Sequence, residues 1–391
     1  MERTPPPPHK PHILFLFSDT GGGHRSASEA VIEALGLEFG DCLTTEMVDF
    51  LKNYAPPPLD KAPEIYPSFA RVPDVWEMGY HLIDGPQRTR VITGALWPYY
   101  RRASRKLVRE HPADLIVSVH PLANTPILRA LGQKRPPFLT VVTDLLSTHS
   151  LWYDAAADRV IVPTAVARQR ALENGVAPAK VEVIGLPVAE RFCAPAGDRA
   201  SLRQQLGWPE DRPVILVVGG GEGMGPVAKV AFAVDAAGLD AALVVVAGRN
   251  RKLKTTLDNH AWQGTVQVHG FVREMPDFMR AADILVTKAG PGTISEAFIA
   301  GLPIVLYDRM PGQEDGNVTY VTHEGAGVWA PKPDQVVDAL RYWLKHPAQL
   351  SRVSAACRRL ARPDASRRIA RSIGEMLGLV SLPEAEASRE F

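Results

Sequence analysis

The sequence predicts an α/β protein built of two doubly wound domains with a cleft between them. Three observations carry that reading. Short, continuous apolar runs alternate with helical patterns along most of the chain, and strand, helix, strand at this spacing means a parallel sheet with right-handed crossovers. The alternation pauses once, at Gly185-Leu-Pro-Val188 and the polar stretch up to Arg212, and then starts again. Each half also carries a Gly-rich loop directly after its first strand. That is the sheet edge at which open parallel sheets bind ligands.

The first series opens at His12-Ile-Leu-Phe-Leu-Phe17, an apolar run ending in a Gly-rich turn, as a strand covered on both faces does. A helix is predicted over about 24–37, with Ala27, Ala30, Val31, Ala34 and Leu35 on one stripe. Further strands are predicted at 45–50, 114–119, 138–143, 159–162 and 181–184. The second series comprises 214–218, 243–247, 265–268, 284–287 and 304–307. The expected division is an arm over 1–11, an N-terminal Rossmann-like domain over 12–188, a C-terminal one over 189–378 and a frayed tail over 379–391. Pro5 to Pro8 oppose regular structure in the arm, and the tail is acidic and poor in apolar residues.

Composition fits this picture. A chain of 391 residues is comfortable for two domains, and 46% hydrophobic with 22% charged residues is a globular profile with sizeable cores. A net charge of only +1 argues against nucleic acid as a partner. Cys42, Cys193 and Cys357 lack metal-ligand spacing and read as reduced, packed thiols of a cytosolic protein. Met1–Pro11 lacks the apolar stretch of a secretory signal. No run approaches the roughly 18 apolar residues of a spanning helix, so membrane contact is expected to be peripheral.

The chemistry is expected at three loops. The first is Ser18-Asp-Thr-Gly-Gly22-Gly23-His24, the second Gly219-Gly220-Gly221-Glu222-Gly223-Met224-Gly225. Neither fits G-x-G-x-x-G, and neither ends in Gly-Lys-Ser/Thr. Both still let backbone amides approach a phosphate at a helix N-terminus. His24 opens a helix, where the partial positive charge disfavours imidazolium and keeps the ring neutral and able to take a proton. Asp19 is the competing base, or a cap for the same turn. The third region runs Lys288-Ala-Gly290-Pro-Gly292-Thr293-Ile-Ser-Glu296, then Pro311-Gly-Gln313-Glu314-Asp-Gly-Asn317. A carboxylate at Glu296 can accept from both hydroxyls of a ribose, or simply favour the helix dipole. Gln313, Glu314 and Asn317 suit a polyhydroxylated sugar.

Taken together with Gly270-Phe271-Val272, these motifs resemble the monogalactosyldiacylglycerol synthase family over about 12–363. Bacterial diacylglycerol glucosyltransferases and the peptidoglycan lipid-carrier N-acetylglucosaminyltransferase share its fold. The resemblance implies a GT-B fold and an inverting, metal-independent transfer that needs no cofactor. The donor it implies is UDP-galactose, and the acceptor is the free hydroxyl of 1,2-diacylglycerol. It implies His24 as base, with the diphosphate and uracil held by Gly220–Gly225 and Gly270-Phe271-Val272. Glu296 would bind the ribose, and Gln313 and Glu314 the hexose. Where the family carries an arginine after Gly185-Leu-Pro-Val188, this chain has Ala189, and Arg191 is the nearest replacement. No Asp-x-Asp metal motif stands at a strand end, so leaving-group charge is expected to meet backbone amides and a helix dipole.

The stretch Pro86–His111 fits a lipid acceptor. Arg88, Arg90, Arg101, Arg102, Arg105, Lys106 and Arg109 face one acid, Glu110, with Trp97, Tyr99 and Tyr100 among them. A helix of this composition suits anionic lipids, here at the cytoplasmic face of a membrane. The Pro-rich segment 54–76 before it reads as a lipid-facing loop. Three alternatives stay open. A UDP-glucose enzyme would differ in the orientation of one hydroxyl, an epimerase of the same fold would need no hydrophobic acceptor surface, and a UDP-sugar sensor would not need His24.

Overall fold

The computed structural model describes residues 9–19, 22–61, 73–194 and 197–379. Most of the expected arm and tail, and residues 62–72 of the Pro-rich segment, lie outside these. Two six-stranded sheets are present. The first contains β1 His12–Phe17, β2 Thr44–Asp49, β3 Leu115–Ser118, β4 Phe138–Val141, β5 Arg159–Val162 and β6 Val181–Val183. The second contains β7 Val214–Val218, β8 Ala242–Val246, β9 Val266–His269, β10 Ile284–Lys288, β11 Ile304–Asp308 and β12 Gly327–Trp329. β12 is the strand the sequence does not announce: three residues, one of them glycine, make no apolar run.

Every strand pairing is parallel. The orders are β2-β1-β3-β4-β5-β6 and β12-β11-β10-β7-β8-β9. In each sheet the chain first winds one way from the opening strand and later returns to its other side. The switch points therefore lie between β1 and β3 and between β7 and β10, and open sheets bind ligands outside the carboxyl ends of such strands.

Both faces of each sheet are covered, which is why the strands read as unbroken apolar runs. In β1, Ile13 and Phe15 enter one core while Leu14 and Leu16 enter the other. In β7, Ile215 and Val217 alternate in the same way with Leu216 and Val218. The expected extent of the C-terminal domain, 189–378, is not how its last helix packs. Ala365–Leu377 places Ala365, Ile369, Ala370 and Ile373 in the core of the first sheet, beside Val31, Leu35 and Phe39. A Cβ on Gly374 would lie 2.1 Å from Phe39 Cζ, so the ring and the helix backbone are in direct contact. The buried Glu38 carboxylate accepts from Arg371 at 2.7 Å and Arg367 at 3.4 Å and fixes the same seam. Among the described residues, no helix is long and apolar enough to cross a membrane.

Candidate active site

The loop after β1 carries Gly22 in the left-handed region, φ 79°, as the residue preceding helix Gly23–Phe39. Its neighbour Gly23 opens that helix, and His24 follows in its first turn, only 8% exposed. The His24 ring lies 4.5 Å from His120, just beyond β3, and 5.9 Å from Trp152. Thr143 Oγ1 is 3.1 Å from its Nδ1. Burial lowers the His24 pKa to about 4, against a smaller upward pull from the Val119 carbonyl and the Asp19 charge. The imidazole is therefore neutral at neutral pH, as expected, although desolvation is the main cause rather than the helix terminus. A carbonyl only accepts, so the nitrogen bonded to Val119 carries the hydrogen and the other is the proton-accepting atom.

Asp19 does not cap the turn. Both of its oxygens accept from Arg25, the shortest contact being 2.7 Å, and its own amide donates to Asp49 Oδ2. Helix Gly23–Phe39 has no side-chain cap. Asp19 is ion-paired with Arg25 in the first turn of that helix, which makes it a positioning group for that side chain.

Across the cleft, the loop after β7 folds tightly. Met224 N–H donates to the Gly219 carbonyl at 2.8 Å, and Gly223 N–H to that of Gly220 at 3.1 Å. Gly223 has φ +58°, and a Cβ there would lie 2.1 Å from the Ala247 carbonyl oxygen. Only glycine lets the loop pass so close to β8. The amides of Gly220, Gly221 and Glu222 have no acceptor among the described residues, which leaves three donors at the mouth of the sheet. Glu222 itself pairs with Arg249 at 2.8 Å, so it is a brace for the loop. The same Arg249 guanidinium lies 4.3 Å over the exposed ring of Phe271. Gly270 and Phe271 thus present a flat, cationic face beside the loop, while Val272 packs into the core below.

β10 ends on Lys288, whose Nζ donates to Glu314 Oε1 at 2.7 Å. Glu314 Oε2 accepts from the Met310 amide at 2.7 Å. Cβ atoms placed on Gly220 and Gly290 would both approach Lys288, at 3.6 Å and 3.3 Å. Lys288, Glu314 and the two glycine turns therefore meet at one point. Helix Pro291–Ala300 starts here, with Gly292 and Thr293 half-buried in its first turn. Asn317 is fully buried, and its amide NH₂ donates to the Ala289 carbonyl at 2.8 Å, which holds the turn after β10.

Glu296 lies on that helix, half-buried, with the exposed Arg191 close enough to act on its charge. Burial raises its pKa to about 7, with Arg191 pulling the other way. A ribose site favours the ionised form, because a carboxylate is acceptor-only and makes charge-assisted bonds to both hydroxyls. UDP affinity should therefore rise as pH climbs from about 6 to 8, and the rise should be absent in Glu296→Gln. Glu296→Ala should weaken UDP binding by up to ~1.5–3 kcal/mol per lost bond. Unchanged UDP affinity by calorimetry would remove Glu296 from the site.

The basic stretch forms helix Pro86–Glu110, and Arg88, Arg90, Arg101, Arg102, Arg105, Lys106 and Arg109 are all exposed along it. Its aromatic residues are less available than expected. The Tyr99 hydroxyl donates to the Pro56 carbonyl, Tyr100 is half-buried beside Tyr54 and Leu107, and Arg129 lies 6.0 Å over Trp97. More of the exposed apolar surface comes from Met78, Leu82 and Val91, at 68%, 69% and 69%, than from Tyr99, at 39%. Met78 and Leu82 are one turn apart on helix Pro73–Ile83, just before the basic helix.

Sequence reasoning does not find Asp144. It follows β4, is buried, and accepts from Trp152 Nε1 at 2.7 Å and from the Gln313 side chain. A charged residue directly after an apolar strand was the available signal. Around it the two domains touch: Gly316 N–H donates to Ser147 Oγ at 2.7 Å, and Tyr80 packs on Gly312.

Comparison with known proteins agrees with this arrangement. The family model for monogalactosyldiacylglycerol (MGDG) synthase matches residues 24–188, and that for glycosyl transferases group 1 matches 198–360. Monogalactosyldiacylglycerol synthase 2, chloroplastic, of Arabidopsis thaliana is 36% identical over 377 residues, 93% of this chain and 81% of that one. The chloroplastic synthase of Spinacia oleracea is 37% identical over 379 residues, 93% and 72% of the two chains. Among solved structures, Acinetobacter baumannii MurG superposes with a TM-score of 0.62 at 16% identity, over 93% of this chain and 99% of that one. An S. aureus MnaA–UDP co-structure gives 0.60 at 15% identity, over 95% and 98%. With two doubly wound domains facing each other across these loops, the chain is a glycosyltransferase of the GT-B fold and belongs to the monogalactosyldiacylglycerol synthase family.

Proposed function

We propose that the protein transfers galactose from UDP-galactose, with inversion, to the free hydroxyl of 1,2-diacylglycerol, while bound peripherally at the cytoplasmic face of an anionic membrane. The observation that carries this reading is the neutral, buried His24 at the switch point of one sheet, opposite the glycine loop and the Lys288–Glu314 pair at the switch point of the other. The relatives' names supply galactose and diacylglycerol as the substrates to test.

In this mechanism the acceptor hydroxyl lies against His24 and attacks the anomeric carbon from the face opposite UDP. The C–O bond to the diphosphate breaks as the new glycosidic bond forms, and the hydroxyl proton passes to the unprotonated imidazole nitrogen. Charge on the departing diphosphate meets the amides of Gly220, Gly221 and Glu222, the start of helix Pro291–Ala300, and Arg191. Phe271 and Arg249 offer a face for uracil, and Glu296 takes the ribose hydroxyls. No step requires a metal ion.

The test is the purified protein with diacylglycerol vesicles and, separately, labelled UDP-galactose and UDP-glucose, in the presence of chelator. A β-linked monogalactosyl lipid formed at an undiminished rate is the expected result. Exclusive glucosyl product would reassign the donor, and a loss of activity restored by added metal would overturn the metal-free mechanism.

A further inference from the structure

We propose that Asp144 is the positioning residue of the donor-sugar subsite, acting from the acceptor domain by fixing which way the Gln313 amide points. This role rests on the reading of Gln313 as a hexose ligand.

Asp144 stands three residues past the end of β4, next to Thr143, whose hydroxyl reaches His24. It is buried, and Trp152, itself fully buried, clamps one carboxylate oxygen with its indole N–H at 2.7 Å. The remaining partner, Gln313, comes from the other domain. Burial raises the Asp144 pKa to about 6, which Trp152 and Gln313 oppose and the Glu314 charge reinforces. At neutral pH the group is therefore a carboxylate. A carboxylate accepts and never donates. Its partner on Gln313 must be the NH₂ end, so the amide carbonyl is turned away from Asp144 and left for a donor hydroxyl. An unpaired amide interconverts its two ends at little cost, whereas this one is held in one orientation. The same bond joins the two domains beside the Gly316–Ser147 contact. Orientation of the sugar ligand thus depends on the cleft being closed, with the wall that carries His24 in place.

Asp144→Asn is the informative change, because it keeps the shape while removing the charge and, with it, the acceptor-only character. Asparagine can donate or accept, so Gln313 is no longer forced into one orientation. In the full-length variant, affinity for UDP should stay at the wild-type value by calorimetry. Affinity for UDP-galactose, and kcat/KM, should fall by about 10-fold, and the preference between UDP-galactose and UDP-glucose should narrow. Asp144→Asn combined with Gln313→Glu should recover most of the loss, since the new carboxylate is acceptor-only and the amide introduced by the first change can then donate to it. Wild-type UDP-galactose affinity and selectivity in Asp144→Asn would overturn the proposal. So would parallel losses for UDP and UDP-galactose, or failure of the paired change to recover activity. If wild-type protein transfers neither hexose to lipid, the functional reading fails instead, which the same assay reports separately.

Discussion

Replacing His24 with alanine should leave UDP affinity unchanged and lower turnover on saturating substrates by ~10²–10⁴-fold, the range of general base catalysis. The imidazole lies against Thr143, His120 and Trp152, all of the first domain, so its loss should not disturb the nucleotide side. A pH profile sharpens the test. A base must be unprotonated, and the His24 pKa of about 4 places its loss well into acid. Any fall in activity between about pH 7 and 6 should therefore appear in the donor KM, through Glu296 and Asp144 near 7 and 6, and not in kcat. Near-normal turnover in His24→Ala would make the ring a packing element. Asp19 would then be a poor substitute, because Arg25 already occupies both of its oxygens.

Neutralising Arg101, Arg102, Arg105 and Lys106 together should weaken binding to anionic vesicles by roughly 4 kcal/mol, about 10³-fold, at about 1 kcal/mol per basic group. All four are exposed, and the one ion pair they make among the described residues, Lys106 with Glu110 at 4.0 Å, is a loose surface contact. The fold should be little affected. Activity on vesicles should fall with binding, while activity on a short-chain soluble acceptor stays close to wild type. Salt should weaken vesicle binding without abolishing it, because Met78, Leu82 and Val91 supply apolar contact that salt does not screen. Equal losses on both acceptors would show that the basic residues serve the fold or the active site.

Much of this architecture was legible because parallel strands covered on both faces are written as local apolar runs. β1, β5 and β7 begin and end where the sequence places them, and the other predicted strands differ by a residue or two at their ends. The loops at the switch points were legible for the same reason, since each follows such a strand directly. What escaped depends on partners distant in the chain. Asp144 looks like any loop acid until Gln313, more than 160 residues later, is beside it. Asn317 gives no sign in the sequence that its amide is buried under the Ala289 turn. Tyr99 and Tyr100 have the composition of a membrane belt, but their positions on the helix turn one hydroxyl to Pro56 and half-bury the other ring.

The return of helix Ala365–Leu377 to the first sheet has a consequence for biogenesis. The N-terminal domain is discontinuous in the chain, with the whole of the second sheet inserted between β6 and its last wall. During synthesis the face made by Ile13, Phe15, Val31, Leu35 and Phe39 stays uncovered until residue 377 has emerged, well after every strand is complete. A nascent chain paused anywhere past Val188 thus presents an apolar surface with nothing yet made to close it. The second domain can complete its two cores first, since their members end at Leu360. Maturation therefore runs against chain order: the half made first is sealed last, and the seal is the segment that also tethers the two halves a second time.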